Sequence, residues 1–589
     1  EIVLVTGVQT CALPISLGRL CNSSGNAYTN QEIKWLIDTI VAIREPSVRA
    51  GCAMALGCIH SQVGGMAAGF HLKTILGILM SLCNDPHPTV HFWSLEALSR
   101  VADAAGLTFS GYVQGTLGML GQLYISDAHN DEQQSLISSN LELELPTSAV
   151  IARCVDSLIN VLGPDLQDMA KARELILTLV YQFREEQSVL ILGESLRCLE
   201  HLSLYAPGHL NFADYVVLLQ KDLNSEAVEL RDIAVDGLHN LMKRNSEDVI
   251  KVAEPGFEDQ LWLALDTAPT HEGLRNIIRN WLQQSCLSNT AEWIQRCQSV
   301  LAMTKTTKET VADSTAKASA GLDLQDEEVA GFAAAAGAAS HDAPSVAGQG
   351  QEHLRWQVRT FAMGCLGEIL VLVMRGVASN GSGPSEMAVQ KKVADVIRMA
   401  FSASTSSILE LRVWGMKIID LVLKMFGITP DPDFPEAPLL EQYQAQISSA
   451  LTPAFAADSS PELASEAVNV CAAFIATGIV TDVDRMGRIL KTLISALENF
   501  STDAETASIG DLKGLSSNAN VMVKMAVFSA WAGLQVASIE QKYLVDVMKP
   551  HIAKLTPLWL SSLKEFASLR FEPEISMSLG PPSLSGSLD

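Results

Sequence analysis

No CxxC pair occurs among the eleven cysteines of this 589-residue chain, and none stand at paired metal-ligand spacing. That removes the usual signs of a zinc site and of a stapled secreted domain, and unpaired thiols in a long chain point to a reducing, cytoplasmic setting. Apolar runs are short: "ILGILMSLC" and "EILVLVM" fall well below the roughly 18 residues of a membrane span, so no transmembrane segment is expected. No polybasic run, basic amphipathic helix or lipidation motif is present, which leaves membrane association indirect. Phosphate-cradling patterns (GxxxxGK[ST], GxGxxG after a strand) are missing, as are HExxH and GxSxG, so no cofactor, metal or catalytic residue is expected and no enzyme is read here. Aromatic residues make up only 6%.

What is present is apolar mass of a helical kind. Hydrophobic residues reach 48% and charged ones 18%, enough burial for a folded chain, with Ala, Leu, Val and Ile supplying most of it. The formal charge is −25. A surface that negative repels phosphate, excluding a broad nucleic-acid grip, and favours basic or neutral partners.

A repeat organises the apolar residues. "PSVRAGCAMALGCI" (46–59) and "PTVHFWSLEALSRV" (88–101) share Pro, then Val, then apolar residues 5, 8 and 11 positions beyond that Val. These intervals keep side chains near one helical face, and Pro suits a first helical turn. Further anchors are Val150, Ile191, Leu230, Val358, Leu411, Leu463 and Val523. Three of the spacings, 42, 41 and 39, lie near the 40–47-residue period of HEAT and armadillo units, and the longer ones fit units with extended loops. Between anchors lie partner helices such as "EIKWLIDTIVAI" (32–43), "HLKTILGILMSLC" (71–83) and "VVLLQKDL" (216–223). The fold class expected is all-α: a superhelical α-solenoid of HEAT/armadillo-like hairpins, interrupted by a disordered insert.

The domain reading places one solenoid block at 17–303, a disordered low-complexity linker at 304–350, a second block at 351–570 and a flexible tail at 571–589; 126–146 reads as a long polar loop. A basic residue follows the anchor at Arg49, Arg231, Arg359, Arg412 and Lys524, where it can pair with acidic neighbours as a ladder along the stack; the plainer reading is a surface cation with no fixed partner. His87 and His91 lie four apart near Asp85, but Pro86 and Pro88 keep His87 out of a regular helix, so no metal is expected there. His60 is expected to cap its helix or face a loop. "LDLQDEEVAGFAAAA" (322–336), with Asp326, Glu327, Glu328, Gly331 and Phe332, has the acidic-then-aromatic form of a peptide that docks into a basic groove, against the plainer reading of a soluble spacer.

"LGRLCNSSGNAYTNQEIKWLIDTIVAIREPSVRAGCAMALGCIHSQVGGM" and "HFWSLEALSRVADAAGLTFSGYV" resemble the HEAT-repeat-containing protein five family, which includes the fungal large accessory protein of the AP-one clathrin adaptor. The resemblance runs from about Leu17 to near Asp589, and "GCAMALGCIHSQVGG" is its most specific part. Because the family's proteins are much longer, the chain is expected to be an internal piece. The resemblance implies a non-enzymatic scaffold that helps place the AP-one adaptor on trans-Golgi and endosomal membranes, with adaptor subunits or accessory proteins as partners. A karyopherin-like transport receptor and a regulatory scaffold of a phosphatase-type complex stay open, as does the oligomeric state. Residues 1–16 fall outside the repeat: codons for Val5–Ile15 can spell a short-read sequencing adapter, so this stretch is expected to be non-native.

Overall fold

A computed structural model describes residues 12–128, 145–302, 355–381, 383–432, 434–455, 459–479, 491, 493–494 and 517–571. Among them helices carry nearly all the regular structure, and the one β-type pairing is an isolated bridge between Pro430 and Pro438. The chain forms two compact units, divided at Gln260 and Leu261.

In the first unit the helices are α1 (Ala12–Ser24), α2 (Asn26–Ala42), α3 (Pro46–Val63), α4 (Gly65–Leu82), α5 (Pro88–Ala105), α6 (Val113–Ala128), α7 (Thr147–Leu162), α8 (Ala170–Glu185), α9 (Val189–Tyr205), α10 (Phe212–Leu223) and α11 (Val228–Val252). Every second helix packs on the next: α1 on α3, α3 on α5, α5 on α7, α7 on α9 and α9 on α11. The intervening helices pack on the row, α2 on α3, α4 on α5, α6 on α7, α8 on α9 and α10 on α11. The row exists because the repeat puts four apolar positions on one face, and the structure buries them. Val90, Leu95, Leu98 and Val101 are all at most 1% exposed, and so are Ala53, Leu56 and Ile59. Each fully buried Leu or Ile contributes about 1.5–3 kcal/mol over its exposed state.

Local chemistry sets the helix ends. Pro46 and Pro88 occupy the first turns of α3 and α5, where their missing N–H groups leave no bond unmade. Gly64 ends α3 at φ 88°, a left-handed conformation that glycine adopts at little cost, and its N–H caps the His60 carbonyl. Gly57 lies against α5 so closely that an added Cβ would sit 2.8 Å from the Ala97 Cα. The glycine-rich character of this hairpin is thus a contact requirement.

The second unit holds most of α12 (Phe257–Thr267) and then α13 (Glu272–Ser285), α14 (Thr290–Ala302), α15 (Trp356–Asn380), α16 (Pro384–Lys391), α17 (Val393–Ser404), α18 (Leu409–Phe426), α19 (Gln444–Leu451), α20 (Pro461–Ala476), α21 (Ser517–Ala537), α22 (Tyr543–Met548) and α23 (Ile552–Phe571). Its row runs α13, α15, α18, α20, α21, again each on the next. All four template positions of α15, α18, α20 and α21 are buried, from Val358 to Leu534. By length and composition Trp356–Ser379 could cross a membrane, yet it contains Glu368 and half of it is buried against its neighbours, as in a core helix.

Several expectations meet structural detail here. Helix α13 fills the long interval between the anchors Leu230 and Val358; the sequence template missed it because Arg279 and Ser285 stand where apolar residues were required. Residues 304–350, 572–589 and 1–11 lie outside the described residues, as does 129–144 of the polar segment; Ala12–Ser16 join α1, and 126–128 end α6. The helices flanking 303–354 pack on one another within the second unit. Arg355, at the N-cap of α15, donates from Nη2 (2.6 Å) and Nε (3.1 Å) to Asp266 Oδ1 of α12, and from Nη1 to the Val300 carbonyl of α14. Both charged side chains are 4% exposed.

His60 lies in the last turn of α3, but its side chain neither caps the helix nor faces a loop. Its ring is fully buried inside α3, and neither ring nitrogen has a hydrogen-bond partner. Burial lowers its pKa to about 4. The ring therefore stays neutral in the folded chain while the unfolded chain protonates near the ordinary value of 6.5.

Two outcomes follow for stability. Asp266→Ala strands a buried guanidinium and should cost about 3–5 kcal/mol in denaturant unfolding, whereas the paired Asp266→Leu/Arg355→Met change should cost much less. Since the His60 pKa is depressed, stability is present above pH 6.5 and lost as pH falls toward 4, by up to about 3 kcal/mol. Thermal melts at pH 7 and pH 5 should show this loss, and His60→Leu should shrink it.

Candidate functional site

The row helices of the first unit carry, beside the buried face, a second line of polar residues at i, i+3, i+4 and i+7. In α7 these are Arg153, Asp156, Ser157 and Asn160, and in α5 Glu96, Ser99, Arg100 and Asp103; in α9 the set is Glu194, Arg197, Glu200 and His201, at i, i+3, i+6 and i+7, with Cys198 at i+4. This spacing puts each set on one stripe of its helix. Because the row stacks helix on helix, the stripes meet.

Arg153 is the centre of the seam. Its Nη1 donates to Glu96 of α5 at 2.8 Å, and its Nε and Nη2 donate to Glu194 of α9 at 2.9 and 2.8 Å. Arg100 and Arg197 add further ion pairs to the same two carboxylates, at 3.2 and 3.4 Å. Burial opposes the charge on Arg153, but the two glutamates hold its guanidinium charged and raise its pKa. One turn along, His201 Nδ1 lies 2.7 Å from Asp156, and Ser99 and Ser157 share a buried hydrogen bond of 2.9 Å. The Asp156 hydrogen bond raises the His201 pKa against its burial. Asp103 is pushed up by desolvation, with Ser157 opposing. Farther along the row, Asn240 of α11 donates to Glu200 at 2.6 Å, and Arg244 donates to the Ser203 hydroxyl at 3.0 Å. Four successive row helices are joined by one polar seam.

The seam has a sidedness that composition hides. The carboxylates of Glu96 and Glu194 are only 11% and 7% exposed, while the Arg153 and Arg197 side chains are 41% and 49% exposed. Glu96 and Glu194 turn inward and their arginines outward, while Asp103 at the end of the α5 stripe stays exposed, so the ridge offers guanidinium groups to solvent on a chain of net charge −25. Fixed, half-exposed arginines held by buried partners suit recognition of a protein surface.

Sequence-predicted positions are placed as follows. Arg49 pairs with Asp85, whose other oxygen accepts from the His87 backbone N–H at 2.9 Å, so Arg49 ties α3 to the turn before α5. Arg412 donates to the Pro453 carbonyl at 3.3 Å, beyond its own helix. Lys524 stands 5.8 Å from the Phe528 ring in its own helix. Arg231 and Arg359 lie half-exposed near the starts of α11 and α15. Asp326, Glu327, Glu328, Gly331 and Phe332 lie outside the described residues. The seam around Arg153 was missed because its residues follow no motif; an i, i+3, i+4, i+7 polar stripe beside the apolar one was the available signal.

Reactive groups are quiet. All ten described cysteines are buried, and desolvation raises the thiol pKa of Cys52 to about 11 and of Cys286 and Cys297 to about 12, which keeps them protonated. His91 Nδ1 bonds the Cys83 carbonyl, and Asp85 is taken by Arg49. Among the described residues no group of three or more His, Cys, Asp or Glu side chains could hold a metal ion.

Residues 388–568 match the Laa1/Sip1/HEATR5 HEAT repeat region. Protein SWEETIE of Arabidopsis thaliana is 25% identical over 503 residues, covering 82% of this chain and 22% of that protein. AP-1 accessory protein LAA1 of Saccharomyces cerevisiae is 22% identical over 602 residues, 96% of this chain and 29% of that protein. The chain thus spans less than a third of the length of these curated relatives. Among solved structures, importin beta aligns at 12% identity with a TM-score of 0.48, covering 94% of this chain and 69% of that one. Kap121p bound to Pho4p aligns at 11% identity with a TM-score of 0.43, over 91% of this chain and 52% of that one.

Removing the centre of the seam gives a direct check. Arg153→Leu leaves Glu96 and Glu194 only the longer ion pairs to Arg100 and Arg197 and should lower stability by about 1–2 kcal/mol, a value discounted for the exposure of Arg153. Adding Glu96→Gln and Glu194→Gln should restore part of it. Urea unfolding followed by far-UV circular dichroism measures both.

Proposed function

We infer the function from one premise: this chain belongs to the Laa1/Sip1/HEATR5 family. It acts as a protein scaffold working with the AP-1 clathrin adaptor, helping to place that adaptor on trans-Golgi and endosomal membranes from the cytoplasmic side. The observation that carries this reading is the likeness to AP-1 accessory protein LAA1 along 96% of the chain. The structure supports it physically. Stacked hairpins give long, continuous surfaces, and the Arg153 seam supplies fixed charge on one of them. Attachment to the membrane is indirect, through protein partners. In this reading any chemistry associated with the assembly belongs to those partners.

The test is affinity purification of the full-length protein that carries this chain, followed by mass spectrometry. AP-1 subunits should be enriched above a control bait. A purification without AP-1 subunits, with the bait folded and correctly expressed, would contradict the proposal.

A further inference from the structure

The connection after α18 is held as one fixed loop. It runs from Gly427 to Leu440, longer than the roughly 12 residues beyond which connections without helix or strand are uncommon in a compact domain. Both ends are pinned. A Cβ at Gly427 would collide with the Thr477 side chain just past α20, and Leu439 and Leu440 are buried. Between the ends, the two arms bond to each other around the Pro430–Pro438 bridge: the Leu439 N–H donates to the Thr429 carbonyl and the Asp431 N–H to the Ala437 carbonyl, each at 2.9 Å. At the tip the Ala437 N–H closes a turn on the Phe434 carbonyl at 2.9 Å, with Pro435 in the second position that such a turn favours. Pro430, Pro432, Pro435 and Pro438 restrict the backbone further.

This rigid loop holds apolar groups away from the core. The Phe434 ring is 71% exposed, and so is Ile428 at the base. The stack does not need them, because the template positions of α18, from Leu411 to Val422, are buried without them. The surroundings are acidic. Between Lys424 and Arg485 the sequence has no Lys or Arg, while Asp431, Asp433 and Glu436 flank Phe434 and Glu441 follows. Glu436 and Glu441 are exposed, and Asp431 accepts from the neutral Gln442 amide at 3.5 Å. Burial raises the Tyr443 pKa, and the charges of Asp431 and Asp395 raise it further. The cations of the adjoining helices are committed elsewhere. Lys424 bonds Asp420 at 2.5 Å, Lys417 lies 3.8 Å from Glu466, Lys392 and Arg398 pair with Asp395 at 3.5 and 2.6 Å, and Arg412 donates to the Pro453 carbonyl.

We propose that the Phe434 loop is a recognition element that this chain inserts into a partner protein, in an apolar pocket edged by Lys and Arg side chains. The ring supplies the apolar area, as aromatic side chains do at interfaces. The bridge and the prolines order the loop before binding, so little conformational freedom is left to lose. The carboxylates around the ring select the edge of the pocket. They also repel the alternatives: an anionic lipid surface, a nucleic acid, and a second copy of a chain of net charge −25. The proposal concerns the chemistry of the pocket and is independent of the adaptor reading.

The test places a photo-crosslinker at the tip, Phe434→p-benzoylphenylalanine, in the full-length protein that carries this chain. Irradiation in cells followed by mass spectrometry should give one dominant protein adduct, attached at an apolar site with Lys or Arg beside it. Adding Glu436→Lys should lower the yield of that adduct about fivefold or more. The same crosslinker at Tyr181, a ring 52% exposed on α8 of the first unit, should not produce it. Phe434 and Glu436 are both exposed, so neither change disturbs the packing, which circular dichroism checks. An adduct of the expected kind on a protein other than an AP-1 subunit would support the loop and leave the adaptor reading to its own purification. Adducts on lipid, on a second copy of this chain or on a surface without cations would each overturn the proposal. So would a folded protein that gives no adduct, or a yield that Glu436→Lys leaves unchanged.

Discussion

Each hairpin in this chain has an apolar face wider than its own two helices can cover, and the next hairpin supplies the remaining cover. Leu56, Leu98 and Leu158 illustrate the constraint: each is at most 1% exposed, and each lies on a helix whose closest packing is with the row helices before and after it. Burying about 1.5–3 kcal/mol per such side chain is possible only in the stack. Everything else in the two units is arranged around that requirement. The first-turn prolines start the row helices at the right place, Gly64 lets α3 stop, and Gly57 lets α3 and α5 come close enough to exclude water.

Stacking also decides which polar residues become a surface. Once α5, α7 and α9 lie side by side, residues far apart in the chain share one seam: Glu96, Arg153 and Glu194 span nearly a hundred positions yet meet through a single guanidinium. Its inward carboxylates lose water and are compensated by the arginine, and its outward arginines stay hydrated and available. Surface ion pairs of this kind add little stability individually. Their value lies in orienting charge, which suits a scaffold that recognises proteins. In the second unit cations lie over aromatic rings instead: Arg275 and Arg279 over Phe361, and Lys417 over Trp414.

The Arg355–Asp266 pair shows how the row tolerates a long interruption. A buried charge is expensive unless its partner is fixed, and here the partner sits on α12 while the Val300 carbonyl of α14 takes a third bond. The pair therefore locks the start of α15 to helices that precede residue 303.

Much of the fold was legible in the sequence. The 5, 3, 3 template named the buried residues of nine row helices, from Ala53 and Leu56 to Trp531 and Leu534; only the anchor Val48 stayed half-exposed. Helix α13 escaped it, because Arg279 replaces an apolar position, and His60, in the last turn of α3, turns its ring into the core instead of capping the helix. Periodicity can be read along one chain because a helix repeats its own geometry every few residues, and that determined the all-α stack. The charged seam, the Arg355 lock and the cation–ring contacts join side chains up to 89 positions apart. No local pattern encodes such distances, so only the tertiary packing of one hairpin on the next could decide them.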